Sequence, residues 1–124
     1  MLKKYALLLA IGYTSAIGIA SLVNLQDLPD IGISFIDKIF HFTAYAIMTI
    51  LWFNYLSTRK DNNIHSIIWA VIISGVFGMI IEALQEALTA NRQADVNDIL
   101  ANNAGILVTA FFLWFFYNKR VKKY

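Results

Sequence analysis

The chain has 124 residues, 59% of them hydrophobic and 15% charged, with no cysteine and a formal net charge of +2. Average soluble domains hold roughly 45–50% apolar and about 25% charged residues, so a single domain of this length could not hide its apolar surface from water. The composition excludes an ordinary soluble domain, and the lack of cysteine excludes disulfides, thiolate metal sites and thiol nucleophiles.

Met1 to Lys4 is a short basic start. Tyr5 to Val23 is uncharged and mostly apolar. With Lys3, Lys4 and the small residues near Ala16 to Ser21 it has features of a signal peptide. Its apolar run exceeds the roughly 7–15 residues of such a segment and reaches the roughly 20 residues of a membrane span. It is read as a retained first helix. Asn24 to Lys38 reads as a loop, because Asp27, Pro29, Asp30 and Gly32 interrupt helical continuity. Its apolar residues Ile31, Ile33, Phe35 and Ile36 suit the membrane interface. A second span is expected over about 39–56, then a polar turn from Ser57 to His65. A third follows over about 66–88 and a fourth over about 97–117, joined by a connection from Thr89 to Val96. The expected fold is all-α: one integral membrane domain over residues 1–124, built as a four-helix bundle with alternating helix directions.

The distribution of Lys and Arg orients the bundle. With both termini cytoplasmic, the inner segments hold Lys3, Lys4, Arg59, Lys60, Lys119, Arg120, Lys122 and Lys123, and the outer segments hold Lys38 and Arg92. The acids divide the other way, with Asp61 inside and Asp27, Asp30, Asp37, Glu82, Glu86, Asp95 and Asp98 toward the outer half. Trp52, Trp69 and Trp114 fall near the inner ends, as in an aromatic interfacial belt.

In this orientation the unusual polar residues share one level. Asp37, His41 and Tyr45 are spaced by four, so they lie on one face, each about 40° from the last. Glu82, Gln85 and Glu86 form a second stripe, and Asp98, Asn102 and Gly105 a third. Gly75 and Gly78 continue the Glu82 stripe inward, where small residues allow close helix approach. No inner-half residue joins the set. Ionisable groups at membrane depth are costly and tend to be functional, and Glu82 lies about 9 Å inside its helix end at 1.5 Å per residue. Structural readings stand beside the functional ones. Glu82 can be paired with Arg92 or His41, Asp37 can cap helix two, Lys38 can snorkel, Asn102 can hydrogen-bond across helices, and Tyr45 suits packing.

The residue types suit two chemistries. His41 with Glu82, Asp98 and Asp37 offers a divalent cation oxygen ligands. Equally, His41 and Glu82 form an acid–base pair. Arg92 is suited to grip a phosphate or carboxylate. There is no Gly-rich phosphate loop, no HExxH pair and no good Ser candidate at this level for a Ser/His/Asp arrangement.

The segment DKIFHFTAY, Asp37 to Tyr45, resembles the D-K-x-x-H-F-x-x-Y pattern of the VanZ-like family of small bacterial membrane proteins. EALQ at Glu82 to Gln85, RQAD at Arg92 to Asp95 and DILANNAG at Asp98 to Gly105 follow in the family's order. Thr89, Ala90 and Asn91 stand where many relatives have Pro or Gly before the Arg. The resemblance implies a helical membrane protein. It singles out Asp37, Lys38, His41, Glu82, Gln85, Arg92, Asp95, Asp98 and Asn102. The family is named for a protein associated with teicoplanin resistance, a property that does not transfer by resemblance.

The expected protein is thus a multi-pass component of the bacterial cytoplasmic membrane with an outward polar pocket. The pocket binds or processes a lipid-linked or anionic envelope molecule, such as an envelope lipid or glycolipid. His41 and Glu82 are the candidate proton-transfer groups. Asp37, Lys38, Gln85, Arg92, Asp95, Asp98 and Asn102 are the candidate binding residues. Alternatives are a non-catalytic envelope binding or structural module and a small proton-coupled transporter. A lipid bilayer is the expected partner and nucleic acid is not.

Overall fold

Long apolar runs in a bilayer have few ways to satisfy their own backbone polar groups, and the α-helix is the one that needs no second segment. In the computed structural model the described residues are 2–23, 33–59, 62–88 and 96–122. They form α1 (Leu2–Val23), α2 (Ile33–Ser57), α3 (Asn63–Leu88) and α4 (Val96–Lys122), with no strand among them. Each helix is long and apolar enough to cross a membrane, over Lys4–Leu22, Lys38–Ser57, Asn63–Ala87 and Asn97–Tyr117. The fold is an all-α membrane four-helix bundle.

The helix boundaries correct the sequence reading in two places. α2 begins at Ile33, so Asp37 and Lys38 lie a full turn inside a helix and Asp37 is not its cap. After Gly32 nothing in Ile33–Lys38 opposes a helix, and the apolar Ile33, Phe35 and Ile36 extend it. α3 begins at Asn63 because Asn62 caps it: Asn62 Oδ1 accepts a hydrogen bond from the Ile64 amide at 2.8 Å. The fourth membrane span is Asn97–Tyr117, as expected, and α4 continues beyond it to Lys122, since no Gly or Pro stops it. At the end of α2, Ser57 Oγ donates to the Asn54 carbonyl at 3.0 Å and Thr58 Oγ1 to that of Tyr55 at 2.6 Å. These hydroxyls satisfy carbonyls that the helix end leaves open.

α2 and α3 form the middle of the bundle, each touching every other helix. α4 packs most extensively on α2, α1 covers the opposite side, and among the described residues α1 and α4 do not meet. α2 and α4 approach closely at Gly105, where an added Cβ would strike the carbonyl oxygen of Phe42. At Gly78 an added Cβ would lie 3.1 Å from Tyr45 Cε2 and 3.4 Å from Asn102 Nδ2. Gly75, expected to pack, does not: a Cβ there would meet nothing within 4 Å. It lies one residue round from the stripe that faces the core.

α1 is tied on by side chains. Tyr13 Oη donates to the Ala44 carbonyl at 2.8 Å, and Trp52 Nε1 donates to Thr14 Oγ1 at 2.9 Å. The second contact removes Trp52 from the expected interfacial belt, because its N–H serves an interhelical bond. Trp69 and Trp114 remain exposed, as a belt requires. Burial is inverted relative to a soluble bundle. Leu8, Ile19, Leu107 and Phe116 face outward, while His41, Glu82, Gln85, Asp98 and Asn102 are buried. Lipid solvates the first group and only protein can satisfy the second.

Candidate functional site

The buried polar residues gather at the end of the bundle where α1 and α3 finish and α2 and α4 begin. α2 and α4 supply its directly bonded part. Lys38 Nζ donates to Asp98 Oδ1 at 2.5 Å. His41 Nε2 stands 3.6 Å from the same oxygen, and His41 Nδ1 lies 2.9 Å from Asn102 Oδ1. The two imidazole nitrogens thus face the Asn102 amide and the Asp98 carboxylate. Lys38 and His41, three apart on α2, and Asp98 and Asn102, four apart on α4, align these contacts along two neighbouring helices.

Burial grades this chain of contacts. The Asp98 side chain is wholly buried, that of His41 is 7% exposed and that of Lys38 is 24% exposed. Removing a carboxylate from water costs several kcal/mol unless it is paired and hydrogen-bonded. The Lys38 ammonium supplies that compensation, while its aliphatic stem lets the charge approach the surface. A cation that reaches the surface is therefore linked through a buried carboxylate to a buried imidazole.

α3 adds Glu82, 2% exposed, and Gln85, fully buried. Glu82 is within electrostatic reach of Tyr45, whose ring packs against Gly78 beside the Asn102 amide. Tyr45 is itself part of a core cluster with Ala44, Met48 and Ile106. Gln85 ties α3 to α1: its Nε2 donates to the Ser21 carbonyl at 2.9 Å. Glu86 is exposed and leaves the stripe. The side chain of Asp37 and the whole of Arg92 and Asp95 lie outside the described residues. Among the described residues no three His, Asp or Glu side chains are grouped to hold a metal ion, and Lys38 already neutralises Asp98.

Two contributions escaped the sequence reading. One is α1, whose Tyr13, Thr14 and Ser21 close the site's flank. The other is a set of buried hydroxyls deeper in the bundle, Thr49, Ser74 and Thr109, where no polar residue was expected to join. Their signal was present: Thr49 follows Tyr45 by four and Ser74 precedes Gly78 by four.

The fold and this site define a class, the small four-helix membrane proteins with a buried cluster of ionisable residues at one end. The chain belongs to the VanZ/LLP1 family, whose model matches residues 4–117. No curated protein matches the chain, and no solved structure does.

Proposed function

We propose that this chain is an envelope protein of the bacterial cytoplasmic membrane, with both termini inside. Its polar centre faces the outer leaflet and binds or processes a lipid-linked or anionic envelope molecule. The observation that carries this reading is the graded chain from partly exposed Lys38 to buried Asp98, His41 and Asn102. At head-group depth Lys38, 24% exposed, keeps N–H donors for an incoming anion while it neutralises Asp98, and Arg92, singled out by the family pattern, is the proposed source of positive charge. Beneath them His41 and Glu82 are the groups able to move a proton, and Asp98 and Asn102 hold the imidazole in register. Ionisable groups are costly at this depth, which supports a role beyond packing.

A second reading has its own support. Lys38–Asp98, His41–Asn102 and Gln85–Ser21 are all internal pairs, as in a non-catalytic module whose polar centre joins the helices. A proton-coupled transporter fits less well, because Phe53, Ile67 and Ala70 form an apolar cluster across the other half of the bundle.

The test is thermal unfolding in nanodiscs of the wild type, Glu82→Gln and His41→Asn. Each is measured with and without lipid-phosphate fragments and divalent cations. A shift in Tm confined to the wild type, with variants of equal intrinsic stability, is the expected result. Variants that are merely less stable, with no ligand shifting any of the three, would leave the joining role and end the binding proposal.

A further inference from the structure

Hydroxyls inside this bundle mostly bond to their own helix. Thr49 Oγ1 donates to the Tyr45 carbonyl at 2.8 Å, and Ser66 Oγ reaches that of Asn62 at 3.4 Å. Such back-bonding one turn along is the usual resting place for Ser and Thr in a helix. Ser74 departs from it. It is fully buried, the Ala70 carbonyl lies one turn behind it, and yet its Oγ makes no hydrogen bond with any protein group. A buried hydroxyl in that condition carries the desolvation cost of a lost hydrogen bond.

The register places other hydroxyls beside it. Tyr45 of α2 meets Gly78 of α3, and these helices run in opposite directions. One turn deeper along each therefore brings Thr49 and Ser74 to a common level. Thr109, seven residues past Asn102, reaches the same region from α4 within about one turn. All three are buried. Thr49 has used its proton on Tyr45 and keeps acceptor capacity. Further in, Phe53, Ile67 and Ala70 close the bundle with apolar surface.

We infer that Ser74 anchors a bound water molecule in the middle of the bundle, one turn beneath Tyr45, with Thr49 as its second contact. A buried water needs two to four polar partners, and these two hydroxyls from two helices meet the lower bound. Inward, the water site is closed by Phe53, Ile67 and Ala70. This inference stands independently of what the polar centre binds.

Two measurements on the full chain in bilayers test it. The first is polarisation transfer from water to protein by solid-state NMR. Signals of Ser74 and Thr49 should build up several-fold faster than those of Met48 and Ile106. Equal build-up at all four residues would overturn the inference, whatever any variant does. The second is Ser74→Ala. If the hydroxyl holds water, the variant lowers Tm and slows the transfer at Thr49. If the hydroxyl is dry or turns back to Ala70, removing it raises Tm or leaves it unchanged, and the water site is refuted. Should the variant fail to fold, the wild-type transfer rates alone decide.

Discussion

The two halves of this bundle solve opposite problems with the same four helices. At one end Lys38, His41, Glu82, Gln85, Asp98 and Asn102 are brought together by α2, α3 and α4. At the other, Phe53, Ile67 and Ala70 pack with Leu56, Leu113 and Tyr117. The apolar half is what a minimal membrane bundle needs, because side-chain packing holds helices together where lipid supplies no hydrophobic drive. The polar half adds charges that need compensating and gains only internal pairs in return. The contrast separates an end held by side-chain packing from an end held by close backbone approach and buried polar pairs. It also makes the glycines of the polar half structural, since Gly105 sets how near Asp98 and Asn102 come to Lys38 and His41.

The contrast is most exposed at Lys38. Lys38→Met removes the ammonium beside a fully buried carboxylate, and breaking such a pair costs about 3–5 kcal/mol. Asp98→Asn leaves a lysine that can turn to solvent, so its loss of stability should be the smaller of the two. Denaturant titration in detergent would read the difference, and equal losses would show that the pair is not graded by burial. Gly105→Ala comes next. The new Cβ meets backbone and not a yielding side chain, so a cost of about 3 kcal/mol is expected, at the upper end for overpacking. The imidazole signal of His41 should shift with it in NMR spectra, because α2 and α4 must part.

Phe53→Ala should cost about 3 kcal/mol through the cavity it opens, while leaving untouched any ligand-induced Tm shift at the polar end. Loss of that shift would mean that the two halves are coupled. The smallest effect is expected from Tyr13→Phe, which deletes one interhelical hydrogen bond to the Ala44 carbonyl. Such bonds in membrane bundles average about 0.6 kcal/mol. A loss of several kcal/mol would show that α1 is integral to the site and not a cover over it.

Much of the site was legible in the sequence because helical spacing is local. His41 and Tyr45 share a face, as do Glu82 and Gln85, and as do Asp98, Asn102 and Gly105. All of them are buried. The same periodicity expected Glu86 with Glu82, but a position four residues on, near a helix end, can already have turned to the surface. It also expected Gly75 to pack, although spacing alone does not say where the neighbouring helix stops covering a stripe. Trp52 was assigned by depth to the interfacial belt, and its bond to Thr14 depends on a helix thirty-eight positions away in sequence.

The sequence by itself determined the class of protein. Apolar runs of membrane length dictate helices, their number dictates a four-helix bundle, and the motifs from Asp37 to Gly105 mark the family and the end that carries its polar residues. Partners were decided only by the tertiary structure. It gave Asp98 to Lys38 and Asn102 to His41, sent Gln85 to α1, and buried the Ser74 hydroxyl without a protein partner. Periodicity records the direction in which a side chain leaves its own helix. Which atom it meets depends on the rotation and depth of the helix opposite, and those are set by close contacts such as Gly105 on Phe42 and Gly78 on Tyr45.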